Sequence, residues 1–528
     1  MDKLLLLGDE AIAQAAMDAG LSGVYAYPGT PSTEITEYIQ SSPKSKTDHI
    51  HCRWSANEKT AMEAALGMSF AGKRALVCMK HVGVNVAADA FINSAVTGVV
   101  GGLVFVAADD PSMHSSQNEQ DSRFYGNFAM IPILEPANQQ EAYDMVYEGF
   151  ELSERCNVPV MLRITTRLAH SRSGVVRRPE MPQNELHFSS DPKQFVLLPA
   201  IARVQYNKLL ESQKDYLKYA EQSAFNKYIA AADKSKGIVA SGIAYNYLME
   251  NYPEGCPFPV LKIGQYPLPE ALLHKMATEC KELFILEEGY PVIEDMLKGL
   301  LGMGLTVHGR KDGFLPRVGE LNPDIVAKAF GFEMPETPVL SEVVKNRPPS
   351  LCVGCGHRDM YDALNVVVAE KGEESKVFGD IGCYTLGYLP PFKAINSCVD
   401  MGASITMAKG AADAGLKFGV AIIGDSTFTH SGMTSLLDAI NENSPITVII
   451  SDNETTGMTG GQESAGTGKI EAICLGLGVD PAHLHVLVPL KKNHDDMVNI
   501  IRDEMNFPGL SVIIPRRECI QTIGKKKK

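Results

Sequence analysis

Cys352 and Cys355 stand with two residues between them in LCVGCGH, a spacing that lets two thiolates reach one metal centre. Two distant cysteines extend the set. Cys383 in GDIGCYTLG and Cys519 in PRREC each follow a strand-like run, so a sheet can deliver both to one edge. Four such thiols fit a 4Fe-4S cluster or a structural zinc. In the same segment Gly424, Asp425 and Ser426 of GDST follow the strand-like VAIIG, and Asn453 comes 28 positions after Asp425, room for a helix and the next strand. Open α/β sheets bind ligands at the carboxyl ends of their strands, near helix N-termini that favour anions. The Asp425 carboxylate, the Asn453 amide oxygen and the backbone carbonyl of Thr455 suit Mg²⁺, a hard ion that shares its shell with phosphate oxygens and water. Each pattern alone is weak, because a GD at a strand end is ordinarily a turn and a lone CxxC serves zinc or redox chemistry equally. Together they point to redox chemistry on a phosphate-bearing cofactor.

Periodicity supplies the elements that must position these groups. Residues 10–19, 57–71 and 85–95 carry helical patterns, with strands at 23–27, 75–79, 103–107 and 159–164 between or after them, and PGTPST opens a further helix with Ser32 or Thr33 as its cap. That alternation is the mark of an open parallel sheet. Residues 177–236 turn polar and Pro-bearing, a linker with an amphipathic helix at 207–232. Three short apolar runs, GIVASG, VLKIG and LFILEEG, then indicate a smaller α/β domain over 237–345. From 346 to 528 the alternation returns, with strands at 376–379, 420–424, 446–451 and 510–514 and helices at 403–414 and 432–441. The expected organisation is two open, mostly parallel sheet domains, 1–176 and 346–528, flanking the smaller one.

Composition narrows the chemistry further. The 528 residues, 45% apolar and 21% charged with a formal charge of −14, are globular and lack the basic face that nucleic acids select. Eleven cysteines make an odd disulfide set, and MDKLLLLGDEA has only a four-Leu run where a secretory signal would have a longer one. A reduced, cytoplasmic protein is expected. The apolar stretch 96–108 is too short for a bilayer and reads as a buried strand, and the Lys525 to Lys528 tail as solvated charge. Buried structural thiols are the expectation for the other seven cysteines.

The set YPGTPSTEI, WSANEKTAMEAALG, DDPSMHSSQNEQDSR, LCVGCGHR, GDIGCYTLG, GDSTFTHSG and DNETTGMTGGQ resembles the 2-oxoacid:ferredoxin oxidoreductases, within them the alpha subunits of the indolepyruvate type, over nearly the whole chain. The resemblance implies a thiamine diphosphate-binding fold and enzyme. Gly424, Asp425, Ser426, Asn453 and Thr455 match the family's diphosphate and Mg²⁺ site, and Cys352, Cys355, Cys383 and Cys519 its proximal 4Fe-4S ligands. Glu58 matches the glutamate that contacts the aminopyrimidine ring, where a carboxylate promotes deprotonation of the thiazolium carbon. On its own a Glu in an Ala-rich helix is an ordinary solvated helix former. Thr30 matches a threonine near the substrate keto acid, a position that in isolation reads as a cap or turn.

Two departures qualify the match. Relatives acting on pyruvate or 2-oxoglutarate carry an arginine just before the matching PS, where this chain has Asp109 and Asp110, so the substrate carboxylate clamp is sought in Arg123 or His114. Relatives also continue into a ferredoxin-like domain, whereas this sequence ends nine residues after Cys519, which leaves the four cysteines as the expected sole cluster ligands. The implied reaction is oxidative decarboxylation of an aryl 2-oxo acid, indolepyruvate first, with coenzyme A taking the acyl group and ferredoxin the electrons, in company with a smaller beta subunit. A non-oxidative thiamine diphosphate decarboxylase and a zinc-stapled assembly subunit are the rivals; only the first reading needs both GDST and an iron cluster.

Overall fold

The computed structural model describes residues 3–27, 29–55, 58–114, 116, 118–298, 341–345, 349–399, 402–457, 462–464 and 466–523. Two units emerge, a large one of Met1–Tyr290 with Leu351–Lys528 and a small one of Pro291–Ser350. The small unit's described structure is chiefly the Val292–Lys298 helix. The rest of the expected smaller domain, at 299–340, and the lysine tail lie outside the described residues.

Within the large unit, the first sheet has seven strands in the spatial order Gln265–Tyr266, Ile133–Leu134, Val160–Thr165, Leu103–Asp109, Ala75–Lys80, Gly23–Ala26 and His51–Trp54. All neighbours are parallel except Gln265–Tyr266, which pairs antiparallel. Strands such as ALVCMK and LVFVAAD are buried on both faces, which is why they read as continuous apolar runs instead of alternating ones. A second sheet of six strands is wholly parallel: Ser397–Cys398, Ser375–Gly379, Phe418–Gly424, Ile446–Ser451, Ser511–Pro515 and Leu484–Leu487. A third, of four strands, orders Leu283–Leu286, Gly237–Ser241, Val260–Ile263 and Lys227–Ile229, the last antiparallel. The expected α/β class holds.

Around the linker and the smaller domain the structure departs from the sequence expectation. The amphipathic helix spans Pro199–Glu221, because Pro199 fits a first helical turn, and the strand Lys227–Ile229 occupies the stretch expected as helix and linker. The strand Gln265–Tyr266 also joins the first sheet although it follows VLKIG of the smaller one.

The two large sheets are joined by a close helix crossing. Residues 60–70 of the Glu58–Phe70 helix are buried throughout, as a helix covered on all sides must be. Its partner is Ala403–Asp413. A Cβ on Gly67 would lie 2.6 Å from the Met407 carbonyl oxygen, and one on Gly410 2.3 Å from that of Ala64. Gly67 thus meets Met407 while Ala64 meets Gly410, so the helices run antiparallel at backbone contact.

Candidate cofactor and cluster site

The strand Phe418–Gly424 passes directly into helix at Asp425, several residues before the start the sequence implies, and the helix continues through a π-type turn at Phe428–Gly432 into Met433–Asn441. Such turns recur at functional sites. Asp425 is 2% exposed and its Oδ2 has no hydrogen-bond partner. Burial pushes its carboxyl up to about 6; the Ser464 hydroxyl opposes that shift and Asp452 reinforces it. A buried carboxylate oxygen without a donor at a strand's carboxyl end fits a bound cation.

The neighbouring strand Ile446–Ser451 pairs Ser451 with Gly424, which carries Asp452 and Asn453 to the same edge. The two differ in what they can offer. Asp452 is 1% exposed and held by Arg516 Nε at 2.8 Å, whereas among the described residues the half-buried Asn453 Oδ1 accepts a single 3.2 Å bond, from the Thr455 amide, and retains a lone pair. Thr455–Thr456 then pairs with Gln462–Glu463, and this hairpin turns the buried Ser464 back against Asp425. Ser464 escaped the sequence reading, since only the hairpin relates it to GDST. Gly424 answers a packing need: a Cβ there would lie 2.5 Å from the Tyr384 ring, and Tyr384 in turn donates its hydroxyl to Asp380. Ser426 sits half-buried beside Asp425 in the first helical turn.

The four cysteines come from three loops at this edge. Cys352 and Cys355 form the turn that starts the Gly356–Lys371 helix, the Cys355 amide donating to the Cys352 carbonyl at 3.2 Å. Cys383 opens the turn Cys383–Tyr388. Cys519 follows Ser511–Pro515, and its amide donates to the Asn453 carbonyl at 3.1 Å, a direct backbone link between cysteine cage and cation edge. Burial, then Cys355, Cys519, Cys352 and Asp425, push the Cys383 thiol up to about 11. Burial likewise raises Cys355, with Cys352 and Cys519 adding to it. Mutual repulsion of this kind is relieved when a metal centre takes the thiolates. Among the described residues no three cysteine sulfurs lie within 4.8 Å of one another. Tetrahedral zinc with bonds of about 2.3 Å would hold its sulfurs about 3.8 Å apart. Iron in a 4Fe-4S cluster spreads its four cysteine ligands over more than one metal, which suits sulfurs that are spaced further apart. Two neighbours missing from the sequence reading also contact it: His357 Nδ1 is 3.0 Å from Cys355 Sγ, and Gln521 Nε2 donates to Cys352 Sγ at 3.3 Å. Burial lowers His357 to about 4, so its imidazole is neutral and able to donate to sulfur.

Thr30 and Glu58 lie at the carboxyl edge of the first sheet. Thr30 is exposed in the turn between Gly23–Ala26 and Thr33–Ser41, and Glu58 opens the helix after His51–Trp54. Gly83 makes room for it, since a Cβ there would lie 2.7 Å from Glu58 Oε1. The expected role of Arg123 needs correction. Arg123 is 0% exposed, and its guanidinium is committed to Asp121 at 2.6 Å, Glu287 at 2.9 Å, the Tyr290 carbonyl at 3.0 Å and Tyr266 Oη at 3.3 Å. A carboxylate clamp cannot be built from donors already spent. Asp109 belongs to the same network through Arg163 Nε at 2.8 Å, which gives the aspartate a structural reason to stand there. His114 is exposed.

Glu58 and Asp425 are not brought together within one chain. Ser431, in the helix that Asp425 opens, packs against Gly402 at the N-terminal end of Ala403–Asp413. The antiparallel crossing sets Glu58 toward that helix's other end.

Fold and site define a thiamine diphosphate-binding protein of the paired-sheet type. Residues 14–208 match the family described as "Pyruvate flavodoxin/ferredoxin oxidoreductase, thiamine diP-bdg", and 380–513 match "Thiamine pyrophosphate enzyme, C-terminal TPP binding domain". The indolepyruvate oxidoreductase subunit IorA of Archaeoglobus fulgidus is 40% identical over 98% of this chain and 86% of its own length. That of Methanothermobacter thermautotrophicus is 38% identical over 99% and 88%. The chain belongs with these subunits to the 2-oxoacid:ferredoxin oxidoreductase family. A solved structure, the thiamine diphosphate-dependent 4-hydroxybenzoylformate decarboxylase of Rhodococcus jostii RHA1, shares the fold, with TM-score 0.51 and 16% identity over 97% of this chain and 99% of that one.

Proposed function

We propose that the chain is the thiamine diphosphate-binding subunit of an enzyme that oxidatively decarboxylates aryl 2-oxo acids, indolepyruvate foremost, to the acyl-CoA. Electrons leave through a 4Fe-4S cluster to ferredoxin, and a smaller beta subunit completes the enzyme. The observation that supports this reading is the backbone bond from Cys519 to Asn453, which links one of the four cysteines to the edge where the buried Asp425 Oδ2 lacks a donor. Four thiols beside a diphosphate and cation edge favour a polynuclear redox centre over a structural zinc.

Bound thiamine diphosphate supplies a carbon nucleophile and an electron sink for decarboxylation, and the cluster a one-electron relay. The protein's part is positional and protonic. Asp425, Asn453 and the Thr455 carbonyl would hold Mg²⁺, with Gly424 and Ser426 at the diphosphate. The Glu58 carboxylate, kept in place by the space over Gly83, would move a proton at the aminopyrimidine, and Thr30 would hydrogen-bond the keto acid. Because Glu58 and Asp425 stand apart within one chain, each complete site takes its Glu58 from one copy and its Asp425 from another. Identical names in the relatives favour indolepyruvate as substrate. The test is anaerobic co-expression with a beta subunit followed by metal analysis: about four irons per chain and a brown protein are expected. A colourless, zinc-loaded protein would overturn the cluster.

A further inference from the structure

We propose that Asp9, Glu34 and His170 form a binding site for a divalent first-row transition ion, away from both the cation edge and the cysteine cage. Asp9 is the second residue of the Gly8–Asp18 helix, Glu34 the second of Thr33–Ser41, and His170 closes Thr166–His170. One carboxylate oxygen from each acid and one imidazole nitrogen all lie within 4.8 Å of one another, with His170 Nε2 3.5 Å from Glu34 Oε1.

Asp9 points independently to a ligand. It is 0% exposed, and neither of its carboxylate oxygens, nor Glu34 Oε2, is met by a donor, although the two carboxyl groups lie close enough to share a proton. Buried carboxylates are normally hydrogen-bonded or paired with a cation, and two orphaned oxygens on one fully buried group are rare. Packing holds the geometry. A Cβ on Gly8 would lie 2.2 Å from the Leu168 carbonyl oxygen, so the backbone of Thr166–His170 is pressed onto the first turn of the Gly8–Asp18 helix.

Donor chemistry selects the ion. An imidazole nitrogen with two carboxylates is a set that zinc and its neighbours take, and bonds of about 2.0–2.2 Å would draw the three donors together from their present spacing. Three protein ligands leave a position for water. The His170 and Glu34 side chains are 34% and 36% exposed, which opens an entry path to the buried Asp9. The rival occupant is a proton shared between the two acids, since burial and Glu34 hold the Asp9 carboxyl well above the usual range. A protonated His170 could pair with Glu34 at 3.5 Å but would leave the Asp9 oxygens unserved, whereas a metal ion uses all three side chains. The Thr33–Ser41 helix directly follows the Thr30 turn, so an ion here would also pin that turn from behind.

The experiment is equilibrium dialysis of the full chain against micromolar zinc, with zinc and iron measured together, for wild type, Asp9→Asn and His170→Ala. Zinc held elsewhere cancels in the difference. The expected result is about one zinc per chain more in wild type than in either variant, a loss of at least tenfold in affinity at this site, and unchanged iron content and thiamine diphosphate binding. The thermal midpoint should rise with zinc in wild type and stay fixed in His170→Ala. Equal zinc in wild type and His170→Ala overturns the site, and so does wild type that takes none. His170 is part-exposed, so its variant decides the matter even if Asp9→Asn fails to fold.

Discussion

At the residue scale the account assigns protons and ions to individual side chains. Glu58→Gln keeps the shape of the side chain over Gly83 and removes its basicity. Oxidation of aryl 2-oxo acids should then fall by about 10²–10⁴-fold while calorimetry still shows cofactor and Mg²⁺ binding. Near wild-type turnover would remove Glu58 from the chemistry. Arg123 makes the opposite case. Its guanidinium is fully buried among Asp121, Glu287 and Tyr266, so Arg123→Ala should cost about 3–5 kcal/mol in denaturant unfolding. The folded fraction should keep its KM for the 2-oxo acid; a raised KM with intact stability would restore Arg123 to the substrate. The cysteines, Asp425 and Asn453 were legible as candidates because their types, their spacing and the family resemblance mark them, and the structure brings Asn453 beside both Cys519 and the strand end at Gly424. Ser464, His357 and Gly83 could not, because each matters through a tertiary neighbour: a hairpin for Ser464, Cys355 for His357 and Glu58 for Gly83. Arg123 departs from the expectation for a related reason, as nothing local marks the first residue of the Arg123–Ala129 helix as buried.

At the element scale the two sheets depend on helices that touch backbone to backbone. Gly410→Ala would drive a Cβ to 2.3 Å from the Ala64 carbonyl oxygen, so a loss of about 1–3 kcal/mol is expected from thermal or denaturant unfolding. Gly476, in the helix Ile470–Leu477, has nothing within 4 Å of a Cβ position. Gly476→Ala should therefore stabilise by about 0.5–1 kcal/mol through helix propensity alone. If both variants behave alike, the crossing is not the constraint described. Long apolar runs and Ala-rich helical spacing made most strands and helices of the two large sheets predictable. Short or mixed elements were harder. Lys227–Ile229 is three residues long and lies where a charged helical pattern was expected, and Gln265–Tyr266 gains strand character only by pairing with Ile133–Leu134.

At the scale of the whole molecule, the proposed site takes its Glu58 from one copy and its Asp425 from another, because the antiparallel crossing separates the two within a chain. Mixing two inactive chains, Glu58→Gln and Asp425→Asn, should then restore activity. A hybrid pair carries one site with both wild-type groups, and random exchange in a dimer yields about a quarter of wild-type turnover, the two copies pairing as a closed two-fold dimer. No recovery after demonstrated subunit exchange would place both groups in one chain. Among the described residues no helix is long and apolar enough to cross a membrane. The central claim is that cofactor and cysteine cage act together on an aryl 2-oxo acid. It is tested most directly by anaerobic turnover of the chain with its smaller partner, coenzyme A and a viologen dye, comparing indolepyruvate, pyruvate and 2-oxoglutarate. The predicted result is thiamine diphosphate-dependent dye reduction, fastest with indolepyruvate. Carbon dioxide release without dye reduction, or a preference for pyruvate or 2-oxoglutarate, would contradict it.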